Sequence, residues 1–201
     1  AVGYGLSETS PAVSIDPIDG KSFSDAIGLP LPSTEMSIQN DGGQILTVGD
    51  EGEICVRGPQ VMRGYWNNEE DTRKVLTKDG WFKTGDIGIM REDGFFKIVD
   101  RKKDMIIVSG FNVYPSDIEE VAMKHEKVFE AGCIGVKGDD DQEVVKLFVS
   151  LNEGETLTKE EMTKYCRENL TAYKVPKLLE IVDEIPKSNV GKILRRELRE
   201  K

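Results

Sequence analysis

The chain has 201 residues, 38% hydrophobic and 32% charged, enough for a packed core in one large or two small domains and too apolar for disorder. Its net charge of −10 is a poor footprint for nucleic acid, whose phosphates need a basic surface. Three cysteines, Cys55, Cys133 and Cys166, without a Cys-x-x-Cys spacing argue against a disulfide framework or a zinc knuckle.

No apolar run approaches membrane-spanning length. The chain opens Ala1-Val2-Gly3 without a Met and reads as an interior piece of something longer. Cys133 lies in an apolar run and Cys166 on a helical apolar face, so both read as small core residues, in keeping with a reducing cytoplasm.

In chain order, Tyr4-Gly5-Leu6-Ser7-Glu8-Thr9-Ser10 comes first. A hydroxyl from Ser7 or Thr9 could meet a phosphate there and Glu8 a Mg²⁺, but by itself the heptapeptide reads as an N-cap cluster. Residues 12–60 predict short strands and turns, in a small antiparallel sheet or barrel. Residues 34–39 alternate, Asp41-Gly42-Gly43 is a hairpin signal, and 44–48 and 53–57 follow as strands. A polar run leads into a short helix over 69–76. Asp93-Gly94 joins strands 86–90 and 95–99.

The stretch 79–117 is the centre of the chain. Asp86 follows Thr84-Gly85, where the backbone can approach a ligand closely. Four charges, Asp100-Arg101-Lys102-Lys103, then break the strand pattern, as at a domain boundary. Beyond them, short strands flank Ser109-Gly110, and Pro115 opens a helix with Ile118, Val121 and Ala122 on one face. Strands are expected over 129–136, 143–151 (alternating) and 178–182, and Asp139-Asp140-Asp141 as a solvated turn. Thr158-Lys159-Glu160-Glu161 has the capping-box form and opens a helix carrying Met162, Tyr165, Cys166 and Leu170. Ile193, Leu194 and Leu198 give a last amphipathic helix in a locally basic segment, 187–201, that could act on an anion. The single histidine, His125, reads as a surface residue at a helix end.

Four motifs occur in order: Tyr4-Gly5-Leu6-Ser7-Glu8-Thr9, Gly80-Trp81-Phe82-Lys83-Thr84-Gly85-Asp86, Asp100-Arg101-Lys102-Lys103-Asp104 and Pro186-Lys187-Ser188-Asn189-Val190-Gly191-Lys192. Together they resemble the adenylate-forming superfamily of acyl-CoA synthetases, peptide-synthetase adenylation domains and luciferases. Within it, the unbroken run 79–103 and the stretches 170–177 and 187–196 are most similar to bacterial long-chain fatty-acid–CoA ligases. The resemblance covers only the C-terminal part of such an enzyme, and the family's Gly-rich phosphate loop and acyl tunnel would lie upstream.

The resemblance implies an α+β fold. Residues 1–99 would be the β-rich end of a large AMP-binding domain, and 100–201 a small mobile C-terminal domain. It implies a fatty acid, ATP and CoA as substrates, with Mg²⁺, and acyl-CoA, AMP and pyrophosphate as products. By motif, Lys192 is the catalytic cation and Asp86 the acceptor for the ribose hydroxyls. Arg101 adds a cation at that ribose, Thr9 meets the α-phosphate, Glu8 holds Mg²⁺ and Tyr4 lies near the adenine. Asp100 is the expected hinge, and Ser109, Gly110 and Phe111 the expected CoA face. No general base is assigned, since the substrate carboxylate is already ionised.

A cytoplasmic location follows from the resemblance, which leaves open peripheral contact with the inner membrane face and a homodimer. Two other readings are a relative that hands acyl-AMP to another acceptor and a folded but non-catalytic piece.

Overall fold

A computed structural model of the chain describes residues 2–17, 25–138, 141–189 and 191–200. It divides into two compact units, Ala1–Lys103 and Asp104–Lys201. Fold class is α+β with largely antiparallel sheets, as expected.

Among its described residues the first unit holds two sheets. Strands β1 (Gly3–Gly5), β2 (Ala12–Ile15) and β3 (Leu29–Pro30) pair antiparallel in that order. The larger sheet runs β4 (Glu35–Gln39), β5 (Gly52–Arg57), β6 (Phe82–Met90) and β7 (Phe96–Arg101), also antiparallel. Val13, Ile27, Ile38, Ile54, Val56 and Phe96, drawn from both sheets and the segment before β3, form a core of this unit.

Helix α1 (Glu69–Val75) buries no residue. Its signals are local: Asn68 accepts a hydrogen bond from the Asp71 N–H, acids fill the first turn, and Arg73 and Lys74 the last. Residues 44–48, expected as a strand, contribute only one bridge, Ile45 to Gln39. The Asp50 carboxylate takes the Thr47 N–H and hydroxyl at 3.2 and 2.7 Å and bends the chain away from the sheet edge. The charged run at 100–103 does not break the strand at its start. Asp100 pairs with Ile87 and Arg101 with Asp86, so β7 continues into it, and the boundary expected at residue 100 falls after Lys103.

In the second unit, β8 (Ile106–Val108) and β9 (Phe111–Val113) form a hairpin. Its two-residue turn is Ser109-Gly110, both at positive φ (51° and 83°), the backbone of a type I′ turn. Pro115 is the first residue of α2 (Pro115–Met123). Strands β10 (Val128–Lys137) and β11 (Glu143–Leu151) pair antiparallel, and β12 (Leu178–Ile181) joins β11 in parallel. Between β11 and β12 lies α3 (Lys159–Asn169), started by a Thr158–Glu161 capping box. The last helix, α4 (Arg195–Arg199), is short, and Ile193 and Leu194 precede it.

β11 is buried on both faces instead of alternating. Val145, Leu147 and Val149 face one core with Ile118, Ala122, Met162 and Cys166, while Phe148 faces a second with Ile134, Ile185 and Leu198. A strand covered on both sides is apolar nearly throughout, which is why Glu-Val-Val-Lys-Leu-Phe-Val-Ser-Leu shows little polar spacing. All three cysteines are buried and free. Of the solvated turn expected at 139–141, Asp139 and Asp140 lie outside the described residues. Among the described residues no helix is long and apolar enough to cross a membrane.

Candidate active site

Asp86 stands on a bulge rather than after a simple turn. Lys83 pairs with Cys55 and Ile87 with Glu53, so residues 84–86 of β6 oppose the single Ile54 of β5. Bulges re-aim a side chain out of the strand pattern. Gly85 allows this one, at φ 76°. Three bonds hold it: Thr84 Oγ1 donates to the Ile54 carbonyl (2.8 Å) and accepts from the Asp86 N–H (3.1 Å), and the Gly85 N–H donates to Glu53 Oε1 (3.0 Å).

The Asp86 side chain is 13% exposed. Tyr4 donates its hydroxyl to Asp86 Oδ2 at 2.6 Å, and Arg101 Nε lies 3.8 Å from Oδ1. Three of the expected nucleotide residues, from β1, β6 and β7, thus meet at one carboxylate. Burial, then the bond to Asp86, pushes the Tyr4 hydroxyl well above its ordinary pKa, so it stays a donor. A cleft of about 480 Å³ opens between Leu6, the bulge and residues 101–103.

Glu8 and Thr9 sit in the single 3-10 turn Ser7–Thr9. Thr9 is fully buried, and its hydroxyl bonds the backbone of Leu6 and Pro11, closing the loop. Its side chain therefore shapes the loop. Glu8 is half-buried and accepts a hydrogen bond from the Tyr65 hydroxyl (3.0 Å). Among the described residues no three metal-ligating side chains gather. A lone carboxylate still suits Mg²⁺, which keeps its waters and takes phosphate oxygens beside one or two carboxylates.

In the second unit, Lys192 follows a tight turn in which the Gly191 N–H donates to the Ser188 carbonyl (2.8 Å) and the Ser188 N–H to the Lys192 carbonyl (2.8 Å). Gly191 has φ 79°, the conformation this turn needs. Of this motif, Val190 lies outside the described residues. Lys192 is exposed and, among the described residues, makes no ion pair.

The rest of the basic terminal segment is largely neutralised, contrary to expectation. Lys187 pairs with Glu130, Arg195 with Glu119 (2.8 Å) and Asp104 (3.6 Å), and Arg199 with Asp104 (3.1 Å). Lys201 lies outside the described residues. Ser109 and Gly110 are exposed at the hairpin tip, and Phe111 stacks on Tyr173 at 4.7 Å. Ser109 and Tyr173 border a cleft of about 850 Å³ that also meets Arg167 and Lys177. His125 is half-buried and packs edge-on against Tyr165, a structural role.

The sequence reading missed Glu53, Lys102, Tyr65 and Tyr173. Their partnerships with Gly85, Glu53, Glu8 and Phe111 span 32, 49, 57 and roughly as many residues. No local pattern carries that signal.

These motifs and folds define part of an AMP-binding enzyme. The chain belongs to the AMP-binding enzyme family: the family model for AMP-binding enzymes matches residues 1–66, and that for the AMP-binding enzyme C-terminal domain matches residues 117–192. It is 58% identical over 198 residues to a long-chain-fatty-acid–CoA ligase of Yersinia pestis, covering 98% of this chain and 35% of that protein. The chain thus spans about a third of the length of the curated relatives it matches. Among solved structures it resembles ATP-bound MatB from Rhodopseudomonas palustris (TM-score 0.91, 35% identity, 98% of this chain and 39% of that one). It also resembles an o-succinylbenzoate coenzyme A synthetase from Bacillus subtilis in complex with ATP and magnesium (TM-score 0.81, 34% identity, 98% and 41%).

Proposed function

We propose that this chain is the C-terminal part of a long-chain fatty-acid–CoA ligase. The observation that carries the reading is the meeting of Tyr4, Asp86 and Arg101 at one carboxylate, in a chain 58% identical to such a ligase. The enzyme joins a fatty acid to ATP as acyl-AMP and then to CoA.

In the first half-reaction a carboxylate oxygen of the acid attacks the α-phosphorus of ATP. The bond to the β-phosphate breaks and pyrophosphate leaves. Such transfers ask a protein mainly for positioning and charge. Asp86 accepts the ribose hydroxyls, and Tyr4 and Arg101 hold that carboxylate in place. Tyr4 is therefore a positioning residue first and an adenine neighbour second. Lys192, with its charge unspent among the described residues, meets the negative charge between the two reactants. Glu8, oriented by Tyr65, would hold Mg²⁺, which when bound offsets polyphosphate charge. Thr9 sets the loop under the α-phosphate.

In the second half-reaction the CoA sulfur attacks the acyl carbonyl, the bond to AMP breaks, and AMP leaves while the thiol proton passes to solvent. Ser109, Gly110 and Phe111 present the thiol channel, and Arg167 and Lys177 supply cations near the anionic end of CoA. A mobile second domain follows from the same reading. Its hinge lies in the charged run that opens at Asp100 and ends at Lys103, between Lys102, held by Asp41 and Glu53 in the first unit, and Asp104, held by Arg195 and Arg199 in the second.

The test is an assay of the complete protein with ATP, Mg²⁺, a long-chain fatty acid and CoA, quantifying acyl-AMP and acyl-CoA separately. Acyl-CoA is the expected product. Acyl-AMP accumulating without thioester would move the protein to a relative serving another acceptor, and neither product would remove fatty acids as substrates. This chain by itself, which carries no Gly-rich phosphate loop, is expected to show no ATP–pyrophosphate exchange.

A further inference from the structure

Glu53 is a charged residue in the interior of a β-sheet, 7% exposed, between Gly52 and Ile54 on β5. A buried carboxylate is costly to desolvate, and an apolar residue of similar size would often serve stability as well. Its partners show what else it does. Oε1 accepts the Gly85 N–H at 3.0 Å and Oε2 accepts Lys102 Nζ at 3.0 Å. The first is a backbone donor inside the bulge, which the sheet ladder leaves without a strand acceptor. The second belongs to the residue directly after Arg101, and Asp41 holds the same ammonium at 2.6 Å.

The two segments that carry Asp86 and Arg101 are therefore tied to one carboxylate. The Asp86 side chain is aimed by the bulge, and the bulge conformation depends on the Gly85 N–H finding an acceptor. Arg101 is 56% exposed, so its reach toward Asp86 is set by the backbone: its own ladder pairing with Asp86, that of Asp100 with Ile87 before it, and the Lys102 anchor after it. We infer that Glu53 is a positioning residue for the nucleotide, which fixes Asp86 and Arg101 against each other through Gly85 and Lys102. The inference rests on the reading of Asp86 as the acceptor for the ribose hydroxyls.

The test compares ATP with 2′,3′-dideoxy-ATP as substrates of the complete protein, wild type, Glu53→Gln and Lys102→Met. The ratio of their kcat/KM values isolates the ribose hydroxyls, which a general loss of stability would not alter. The wild type is expected to favour ATP. In both variants that preference shrinks by roughly tenfold, the size of one misplaced charge-assisted hydrogen bond. KM for the fatty acid and for CoA stays within about twofold of wild type. Glu53→Gln can still accept from Gly85 but loses the charge that anchors Lys102, and Lys102→Met removes the same tie from a half-exposed site, so agreement between the two excludes a fold defect at the buried one.

An undiminished preference in both variants would overturn the inference and leave Glu53 a packing residue. A wild type indifferent to the ribose hydroxyls would overturn the Asp86 reading itself, and this inference with it. The two failures differ in which protein shows them.

Discussion

Lys192 is the residue on which the proposed chemistry turns, and its neighbours isolate its role. Arg195 and Arg199 are spent on Glu119 and Asp104, so removing Lys192 subtracts a charge that the segment does not replace. Lys192→Ala is expected to lower ATP–pyrophosphate exchange by about 10²–10³-fold, while thioester formation from supplied acyl-AMP and CoA persists. Equal loss in both half-reactions would remove the special role. The cysteines make a second prediction at this scale. Burial, then the nearby Glu53 charge, pushes the Cys55 thiol up to about 12, and burial pushes Cys166 up to about 11. The folded protein is therefore expected to resist iodoacetamide at about pH 8 and to take up label at both sites once unfolded, as read by peptide mass spectrometry.

Among the elements, α3 and β6 give opposite lessons. Helix α3 starts where Thr158 accepts the Glu161 N–H at 3.1 Å and Glu161 reaches back to the Thr158 N–H at 2.8 Å. Thr158→Ala is expected to cost about 1 kcal/mol, seen as a lower urea midpoint with an unchanged slope, and Thr158→Ser to retain the wild-type midpoint. Strand β6 depends on its glycines for two different reasons. A Cβ on Gly85 meets open space, so Gly85→Ala should cost only its left-handed backbone, about 1 kcal/mol. A Cβ on Gly88 would lie 2.5 Å from the Lys97 carbonyl oxygen inside the β6–β7 ladder. Gly88→Ala should therefore be the more damaging in the same urea titration.

For the molecule as a whole, the titrating groups set opposite limits on stability. Asp41, held by a hydrogen bond from Lys102, Glu35 by one from Arg57, and Glu161 by the Thr158 backbone all lie below the usual carboxylate range. Their contribution is present at neutral pH and is lost as pH falls through that range. Tyr4, Cys55 and Cys166 are raised, so the unfolded chain gives up those protons first. Their contribution is present below the ordinary thiol and phenol values and is lost as pH rises past about 8.5 to 10. Thermal melting should thus show a plateau near neutrality that falls on both sides. Tyr4→Phe should flatten the part of the alkaline fall above about pH 10, and an unchanged slope there would show that Tyr4 does not titrate in the unfolded chain's range.

What the sequence determined by itself was local. The Thr158 capping box, Pro115 at the head of α2, the Ser109-Gly110 turn and the order of the four motifs all follow from residues a few positions apart, whose conformations are fixed by their own backbone preferences. Tertiary structure decided what depends on residues far apart. Only folding could show that β7 pairs onward through Arg101, that β11 is covered on both faces, or that the basic terminus meets Glu119, Asp104 and Glu130. The same holds for the site: Asp86 was legible in its motif, but the carboxylate of Glu53 that holds its bulge was not. A hydrogen bond across 32 residues, like an ion pair across 49, leaves no period in the chain, because it depends on which strands the sheet lays side by side.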